Sequence, residues 1–186
     1  MPLVLVTGLP GAGKTTLAVE LAARLDLPLV AKDRYKELLF DALGTGDGAW
    51  SSKVGAAAVQ LQYEAMRLAR EAVVDSALWP GRSEPEVEAL GLDVVQVWCD
   101  CPFEEARRRF LDRQVPGRRH PGFLGEASSE EAYERFRSLA RPLELSAPLV
   151  RVDTSAPVDV EDVVSRVLAA PRATTRGRGG TRRASP

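Results

Sequence analysis

Gly8-Leu9-Pro10-Gly11-Ala12-Gly13-Lys14-Thr15 is the most informative stretch of this sequence, because it matches the pattern G-x-x-x-x-G-K-[ST]. An apolar run at residues 3–6 precedes it, as expected for a buried strand of a parallel sheet. Leucines at positions 17, 21 and 25 follow at the spacing of a helix that packs one face against a sheet. The order strand, glycine-rich loop, helix is the setting in which this pattern binds phosphate groups.

The expected chemistry of this loop follows from its residue types. Glycines allow a tight turn, which brings backbone N–H groups and the N-terminus of the next helix around a nucleotide's phosphates. We expect Lys14 to reach the β- and γ-phosphates and the Thr15 hydroxyl to ligate Mg²⁺. The alternative is a glycine turn that binds nothing. The expected nucleotide contacts are Gly8, Leu9, Pro10, Gly11, Ala12, Gly13, Lys14, Thr15 and Thr16.

The composition favours one cytoplasmic domain. The chain has 186 residues, of which 45% are hydrophobic, enough for one sizeable core and short for two. Lysine and arginine number 25 against 26 aspartates and glutamates, so the overall charge gives no indication of a nucleic-acid partner. We find no signal peptide and no apolar run of about 18 residues, and therefore expect a cytoplasmic protein without membrane contact.

Predicted strands alternate with predicted helices around the phosphate loop. This alternation predicts an α/β protein with a three-layer P-loop NTPase fold, a five-stranded, mostly parallel sheet and a lid. We expect one domain over residues 1–170 with a lid around 113–125, followed at 171–186 by a disordered basic tail that lacks apolar anchors. The predicted strands are 3–6, 28–31, 73–78, 93–98 and 149–152, and the main predicted helices are 14–25, 35–43, 54–72, 103–114, 129–140 and 158–169.

Two aspartates follow predicted strands, at the sheet edge where ligands of open α/β folds bind. Phosphoryl transfer needs a metal ion on the phosphates and a base that holds the acceptor hydroxyl in line. We expect Asp75 to hold Mg²⁺ with Thr15, directly or through water, and Asp33 to accept the proton of the acceptor hydroxyl. The alternatives are a strand-end cap for Asp75 and a helix N-cap for Asp33, and a capping Asp33 could also act as the base.

Cationic side chains are expected on the acceptor side and in the lid. Lys36 lies one helical turn beyond Asp33 and would hold the substrate or the transferring phosphoryl group, unless it is an exposed lysine. A cationic segment rich in proline and glycine follows the helix predicted at 103–114 and is typical of a closing lid. There Arg113, Arg118 and Arg119 are the expected participants, because a guanidinium matches phosphate in a bidentate pair. The alternative is a solvated arginine face.

The charges near the expected acceptor site favour a small molecule over a nucleic acid. A site for single-stranded nucleic acid needs a positive groove that follows several phosphates. Here the opposite charges balance, with Lys32, Arg34, Lys36 and Lys53 against Asp33, Glu37, Asp41 and Asp47. We therefore expect a small-molecule partner that carries a hydroxyl acceptor.

Four motifs together resemble a known group of small P-loop kinases, the AAA-domain-type predicted kinases. They are GLPGAGKTT, VAKDRYKELLF, VVDSALW and RRHPG, and the similarity covers about residues 2–170. That group is similar to chloramphenicol phosphotransferase, to the kinase domain of polynucleotide 5'-kinase and, more distantly, to zeta toxins and shikimate kinase. The resemblance implies that Asp33 is the base, that Lys36 assists transfer, and that the loop with Asp153 and Thr154 packs on adenine.

The sequence therefore predicts a phosphotransferase that uses ATP and Mg²⁺ to phosphorylate a hydroxyl of a small molecule, such as an antibiotic or a nucleoside-like metabolite. Two alternatives stay open: a polynucleotide 5'-hydroxyl kinase, and a P-loop ATPase switch that transfers phosphate to no acceptor. We expect a monomer or a homodimer.

Overall fold

The computed structural model describes residues 1–115, 117, 119–123 and 129–171. In this part of the chain five strands form one sheet in the order β2-β3-β1-β4-β5, and every neighbouring pair is parallel. The predicted five-stranded parallel sheet is therefore confirmed. The strands are β1 (Leu3–Gly8), β2 (Leu29–Ala31), β3 (Ala72–Asp75), β4 (Val94–Asp100) and β5 (Leu149–Asp153).

Helices cover both faces of this sheet. They are α1 (Lys14–Leu25), α2 (Lys32–Leu43), α3 (Gly48–Ala69), α4 (Glu84–Ala89), α5 (Phe103–Leu111), α6 (Glu130–Glu134) and α7 (Val160–Ala169), with 3-10 turns at Pro121–Phe123 and Arg137–Leu139.

The central strand β1 explains the three layers. Its residues 3–6 are fully buried and alternate between two hydrophobic clusters, so each face of the strand needs an apolar partner. Val4 and Val6 pack in the cluster that includes residues of α1, α5 and α7, whereas Leu3 and Leu5 pack in the cluster that includes α3 and α4. This is the predicted α/β fold with helices on both sides of a parallel sheet.

The helices on the acceptor side begin earlier than the sequence predicts. α2 begins at Lys32 rather than at residue 35, so Asp33 lies within its first turn. α3 begins at Gly48 rather than at residue 54, because the Asp47 side chain accepts a hydrogen bond of 2.8 Å from Trp50 N and caps the helix. α3 ends before Arg70, whose φ of 61° is left-handed, and β3 follows at Ala72.

Other predicted boundaries also shift. The helix predicted at 103–114 ends at Leu111, and the one predicted at 129–140 is divided into α6 and a 3-10 turn. Tyr133 and Phe136 are both buried in the core at this break, so tertiary packing overrides the helical periodicity. The predicted basic tail, apart from its first residue, lies outside the described residues. No helix in the described part of the chain combines the length and apolar character that a membrane span requires.

The carboxyl ends of the strands meet at one edge of the sheet. Strand pairing aligns Asp75 of β3 with Val6 of β1 on one side and with Ala31 of β2 on the other. The phosphate loop after β1, the first turn of α2 and Asp75 therefore converge, as parallel topology requires.

Candidate active site

The phosphate loop packs tightly between the sheet and α5, and glycine is essential at Gly11. The residue has a φ of +90°, and a Cβ there would lie 2.0 Å from the Ala106 carbonyl oxygen. Gly13, the N-cap of α1, also has a positive φ of +84°, but a Cβ at this position would meet nothing nearer than Thr154 at 3.8 Å. The side of the loop at Gly13 is thus open, whereas the side at Gly11 is closed by α5.

Lys14 is buried inside this loop rather than exposed on it. Its Nζ donates a 2.8 Å hydrogen bond to the Leu9 carbonyl, so the side chain curls back over the loop. Burial lowers the pKa of Lys14, and the positive charge of Arg113 lowers it further. The carboxylates of Asp75 and Asp33 raise it, but the effect of burial is larger. An ammonium that burial destabilises gains most from a polyanionic ligand.

Thr15 and Asp75, the two residues expected to hold Mg²⁺, lie in contact. The Thr15 hydroxyl donates a 2.6 Å hydrogen bond to Asp75 Oδ2, and the Asp75 side chain is buried. Burial raises the pKa of Asp75. The charge of Lys14 and the hydrogen bond from Thr15 act in the opposite direction, but the pKa stays above its usual value. The fully buried Gln62 of α3 donates to the Asp75 carbonyl oxygen at 3.2 Å and so fixes the end of β3. A hydroxyl and a carboxylate oxygen side by side fit the oxygen ligands that Mg²⁺ prefers.

A cavity of about 380 Å³ opens beside the loop. It lies between the start of α1 and the segment after β5, and Gly13, Thr16 and Thr154 line it, whereas Asp153 does not. The Asp153 carboxylate instead accepts hydrogen bonds from the Ser155 backbone and hydroxyl, at 2.8 and 2.6 Å. The cavity has room for part of a nucleotide.

Arg109 forms one wall of this cavity, and the sequence did not single it out. Its guanidinium donates to the carbonyl oxygens of Thr154 and Ser155 at 2.8 and 3.0 Å, and to Glu105 at 2.7 Å. Arg109 therefore ties α5 to the segment after β5. The arginine run at 107–109 carries no signal that would distinguish Arg109, because two of these three partners are backbone atoms about 45 residues away.

Asp33 makes two ion pairs at the acceptor side. Lys32 Nζ lies 2.9 Å from Oδ1 and Arg119 Nη2 lies 3.2 Å from Oδ2, and the side chain is half-exposed. Partial removal from water raises the pKa of Asp33, but Lys32, Arg119 and Lys14 together hold it below its usual value. The N-cap of α2 is Ala31, without a side-chain cap bond, so Asp33 is not the helix N-cap.

Lys36 points to the junction of α2, α3 and the turn at Pro121–Phe123. Its Nζ donates a 3.0 Å hydrogen bond to Ser51 Oγ, and the Ser51 hydroxyl donates to the Gly122 carbonyl at 3.2 Å. The ammonium also lies 5.3 Å from the centre of the Phe40 ring and 5.0 Å from that of Phe123. Burial, with the nearby charges of Lys32 and Arg119, lowers the pKa of Lys36 to about 8.

The three predicted lid arginines have different positions. Arg119 is mostly buried and its guanidinium stacks 4.2 Å from the centre of the Phe123 ring, besides pairing with Asp33. Arg113 is exposed, and its charge influences the pKa values of Lys14 and Asp75. Arg118 lies outside the described residues. The solvated face that the sequence left open as an alternative does not describe Arg119.

The comparisons with known proteins agree on a kinase family. The family described as AAA domain matches residues 3–139. A shikimate kinase of Corynebacterium glutamicum is 31% identical over 175 residues, which are 90% of this chain and 95% of that protein. The crystal structure of a proposed kinase from Chloroflexus aurantiacus is 34% identical, with a TM-score of 0.82 over 90% of this chain and 96% of that one.

A more distant structure shares the fold alone. A sugar kinase from Janibacter superposes with a TM-score of 0.57 at 17% identity, over 90% of this chain and 92% of that one. The relatives named here are kinases, and the resemblance to chloramphenicol phosphotransferase and polynucleotide 5'-kinase stays a prediction. Because the family matches residues 3–139, which are most of the chain, the chain belongs to the AAA-domain family of P-loop kinases.

Proposed function

We propose that this chain transfers the γ-phosphoryl group of ATP to a hydroxyl group of a small molecule, with Asp33 as the base. What supports this most is the pairing of Ala31 with Asp75 across β2 and β3. It brings Asp33, two residues beyond Ala31, to the edge that carries the Thr15–Asp75 pair. A candidate metal site at the end of β3 and a second carboxylate just after the neighbouring strand β2 are the parts that phosphoryl transfer needs.

The proposed reaction assigns a role to each side chain. The acceptor hydroxyl loses its proton to Asp33 as its oxygen bonds to the γ-phosphorus, and the bond to the β–γ bridging oxygen breaks to release ADP. Lys14 stabilises the negative charge on the phosphates, and Thr15 and Asp75 would hold Mg²⁺. When bound, Mg²⁺ supplies charge neutralisation on the phosphate oxygens.

The ion pairs of Asp33 constrain this role. Because Lys32 and Arg119 lower its pKa, Asp33 is ionised at neutral pH and ready to accept a hydrogen bond from a hydroxyl. Each cation pairs with one oxygen of this half-exposed carboxylate, which keeps lone pairs for the hydroxyl of an acceptor. Arg119, with Arg113 and Arg118, is the group that would turn to the phosphates during transfer.

We infer a small-molecule acceptor from the relatives and from the charges around Asp33. The Corynebacterium relative is a shikimate kinase by name, and Asp33 in the first turn of α2 pairs with Lys32 and Arg119. An antibiotic or a nucleoside-like metabolite remains a specific version of this proposal. Arg109 and Thr154 would border the nucleotide base in the adjoining cavity.

An acceptor panel tests the proposal directly. The purified chain is incubated with Mg²⁺ and γ-labelled ATP, without acceptor and with hydroxyl compounds from polyols, hydroxy acids, nucleosides and aminoglycosides, and with a 5'-hydroxyl oligonucleotide. We expect label to pass to a small molecule and not to the oligonucleotide. ATP hydrolysis that no compound stimulates would favour the ATPase switch. Efficient oligonucleotide labelling that falls steeply with salt would favour the polynucleotide kinase.

A further inference from the structure

The acceptor side carries more positive than negative charge once the ion pairs are assigned. Lys32 and Arg119 share the single carboxylate of Asp33. Lys36 lies on the same face of α2 as Lys32, one turn further on. It has no carboxylate partner among the described residues, and its ammonium donates its hydrogen bond to the neutral Ser51 hydroxyl. The charges that act on Lys36 are therefore two cations, Lys32 and Arg119, and one anion, Asp33. Glu37 and Arg113 also act on Arg119, with opposite signs.

The surroundings of Lys36 keep its ammonium in a fixed position. The rings of Phe40 and Phe123 flank it, and Ser51 Oγ accepts a hydrogen bond from one of its three N–H groups. The other two protons have no hydrogen-bond acceptor in the described part of the chain. Next to the ammonium, Gly55 leaves room, since a Cβ there would lie 3.6 Å from Nζ.

A half-buried ammonium with spare donors gains most from an anion. Burial and the like charges of Lys32 on α2 and Arg119 in the lid disfavour its charged form, and only Asp33 opposes them. A neutral hydroxyl ligand would satisfy the donors but would leave the excess charge unchanged. A carboxylate or phosphate would satisfy both needs.

We propose that Lys36 is a specificity-determining residue that binds an anionic group of the acceptor, either a carboxylate or a phosphate monoester. This inference rests on the proposed function, since it names the substrate class of the same site. The acceptor is then a hydroxyl compound with a negative charge, oriented by Lys36 so that its hydroxyl faces Asp33. Ser51 positions Lys36, and its bond to the Gly122 carbonyl links this contact to the lid.

Chemical labelling of lysines tests the anion site without requiring catalysis. Acetylation of Lys36 by acetic anhydride is followed by mass spectrometry, with the exposed Lys53 as internal reference, in the presence of Mg²⁺ and a non-hydrolysable ATP analogue. The probes are matched pairs: gluconate against glucitol, shikimate against its methyl ester, and glycerol 3-phosphate against glycerol. We expect the anionic member to slow labelling of Lys36 about 10-fold or more at saturation, and Lys53 to be unaffected.

Two labelling results would overturn the proposal: no protection by any anion, or equal protection by the neutral partners. Protection by carboxylates but not by phosphate, or the reverse, identifies which anion the site takes. Protection of Lys36 without transfer of phosphate to any hydroxyl would retain the anion site and reject the proposed kinase activity. The two failures are therefore distinguishable.

Variants extend the test to turnover of an acceptor found in the panel. Lys36→Met keeps the packing between the rings and removes the charge, and we expect it to raise KM for the anionic acceptor about 10-fold or more with little change in the Kd of ATP. Lys36→Arg should restore part of the affinity, and Lys53→Met should change nothing. An equal KM increase for neutral and anionic acceptors in Lys36→Met would indicate a packing role instead.

The affinity for the anionic acceptor should also depend on pH. It should fall as pH rises through about 8, because the pKa of Lys36 is about 8 and its ammonium loses a proton there. The charges that face this ammonium are Lys32, Asp33 and Arg119.

Discussion

Replacing Lys14 by methionine should separate stability from nucleotide binding. Because burial lowers the pKa of Lys14 despite its neighbouring carboxylates, folding disfavours the ammonium. Its charged hydrogen bond to the Leu9 carbonyl stabilises the fold by about 1.5–3 kcal/mol, and the cost of burying the ammonium opposes that gain. That carbonyl also accepts from Ala12 N at 3.0 Å, so it keeps a partner in the variant. Methionine fills a similar volume without a buried charge. We therefore expect the free energy of unfolding to stay equal or to rise by about 1 kcal/mol, which is about 2–4 °C in Tm for a domain of this size.

The same substitution should strongly weaken binding of Mg·ATP. Hydrogen bonds to charged groups contribute about 1.5–3 kcal/mol, so losing those of Lys14 to phosphate raises Kd roughly 10- to 150-fold. Thermal unfolding gives Tm, and titration with a fluorescent ATP analogue gives Kd, with the exposed Lys53→Met as the control that changes neither. The wild-type chain should also gain stability relative to Lys14→Met as pH rises, because deprotonation of Lys14 removes the buried charge. A Tm lowered by many degrees, or an unchanged Kd, would refute this reasoning.

Two further predictions concern the base and the loop. Asp33→Asn should lower kcat roughly 100-fold or more with the Kd of ATP retained. The exposed control Asp26→Asn should leave both unchanged. Steady-state kinetics measure kcat, and titration with the fluorescent ATP analogue measures Kd. An Asp33→Asn enzyme with near-normal kcat would exclude the base role. Gly11→Ala should unfold at much lower urea than Gly13→Ala, since both strain a positive φ but only the first overlaps the Ala106 carbonyl. Equal midpoints in urea would contradict the packing of the loop on α5.

The positions of the loop and of Asp75 at one sheet edge could be predicted from the sequence, whereas their phosphate and Mg²⁺ roles stay predictions. The loop from Gly8 to Thr15 is contiguous, and parallel strands deliver their carboxyl ends to one edge, so Asp75 and Thr15 meet although 60 positions separate them. The buried position of Lys14 did not follow from the motif. It depends on the packing of the loop against its neighbours, which no short pattern encodes.

The acceptor side depends on contacts between distant segments. Arg119 reaches Asp33 over 86 positions, and the Ser51 hydroxyl reaches the Gly122 carbonyl over 71. Ser51 also entered the site because α3 begins six residues earlier than its periodicity predicts, through the cap that Asp47 provides. An error of one or two turns in a helix start is enough to hide such a residue.

The balance of charges shows why counting residues does not describe this site. In the sequence four cations cancel four anions around the expected acceptor segment, and that count is correct. The fold, however, distributes the anions unequally. Glu37 lies 3.6 Å from Arg34, Asp41 contacts His120 at 3.2 Å, and Asp47 caps α3.

Three of the four carboxylates are therefore engaged away from Lys36, and the fourth, Asp33, is shared by Lys32 and by an arginine from outside the segment. A segment that is neutral in sequence thus forms a locally cationic site. Among the described residues, this excess lies at one half-buried ammonium and its two neighbours, whereas a nucleic-acid groove needs positive charge along several phosphates. A compact acceptor with one anionic group matches that distribution of charge better than either a neutral metabolite or a polyanion.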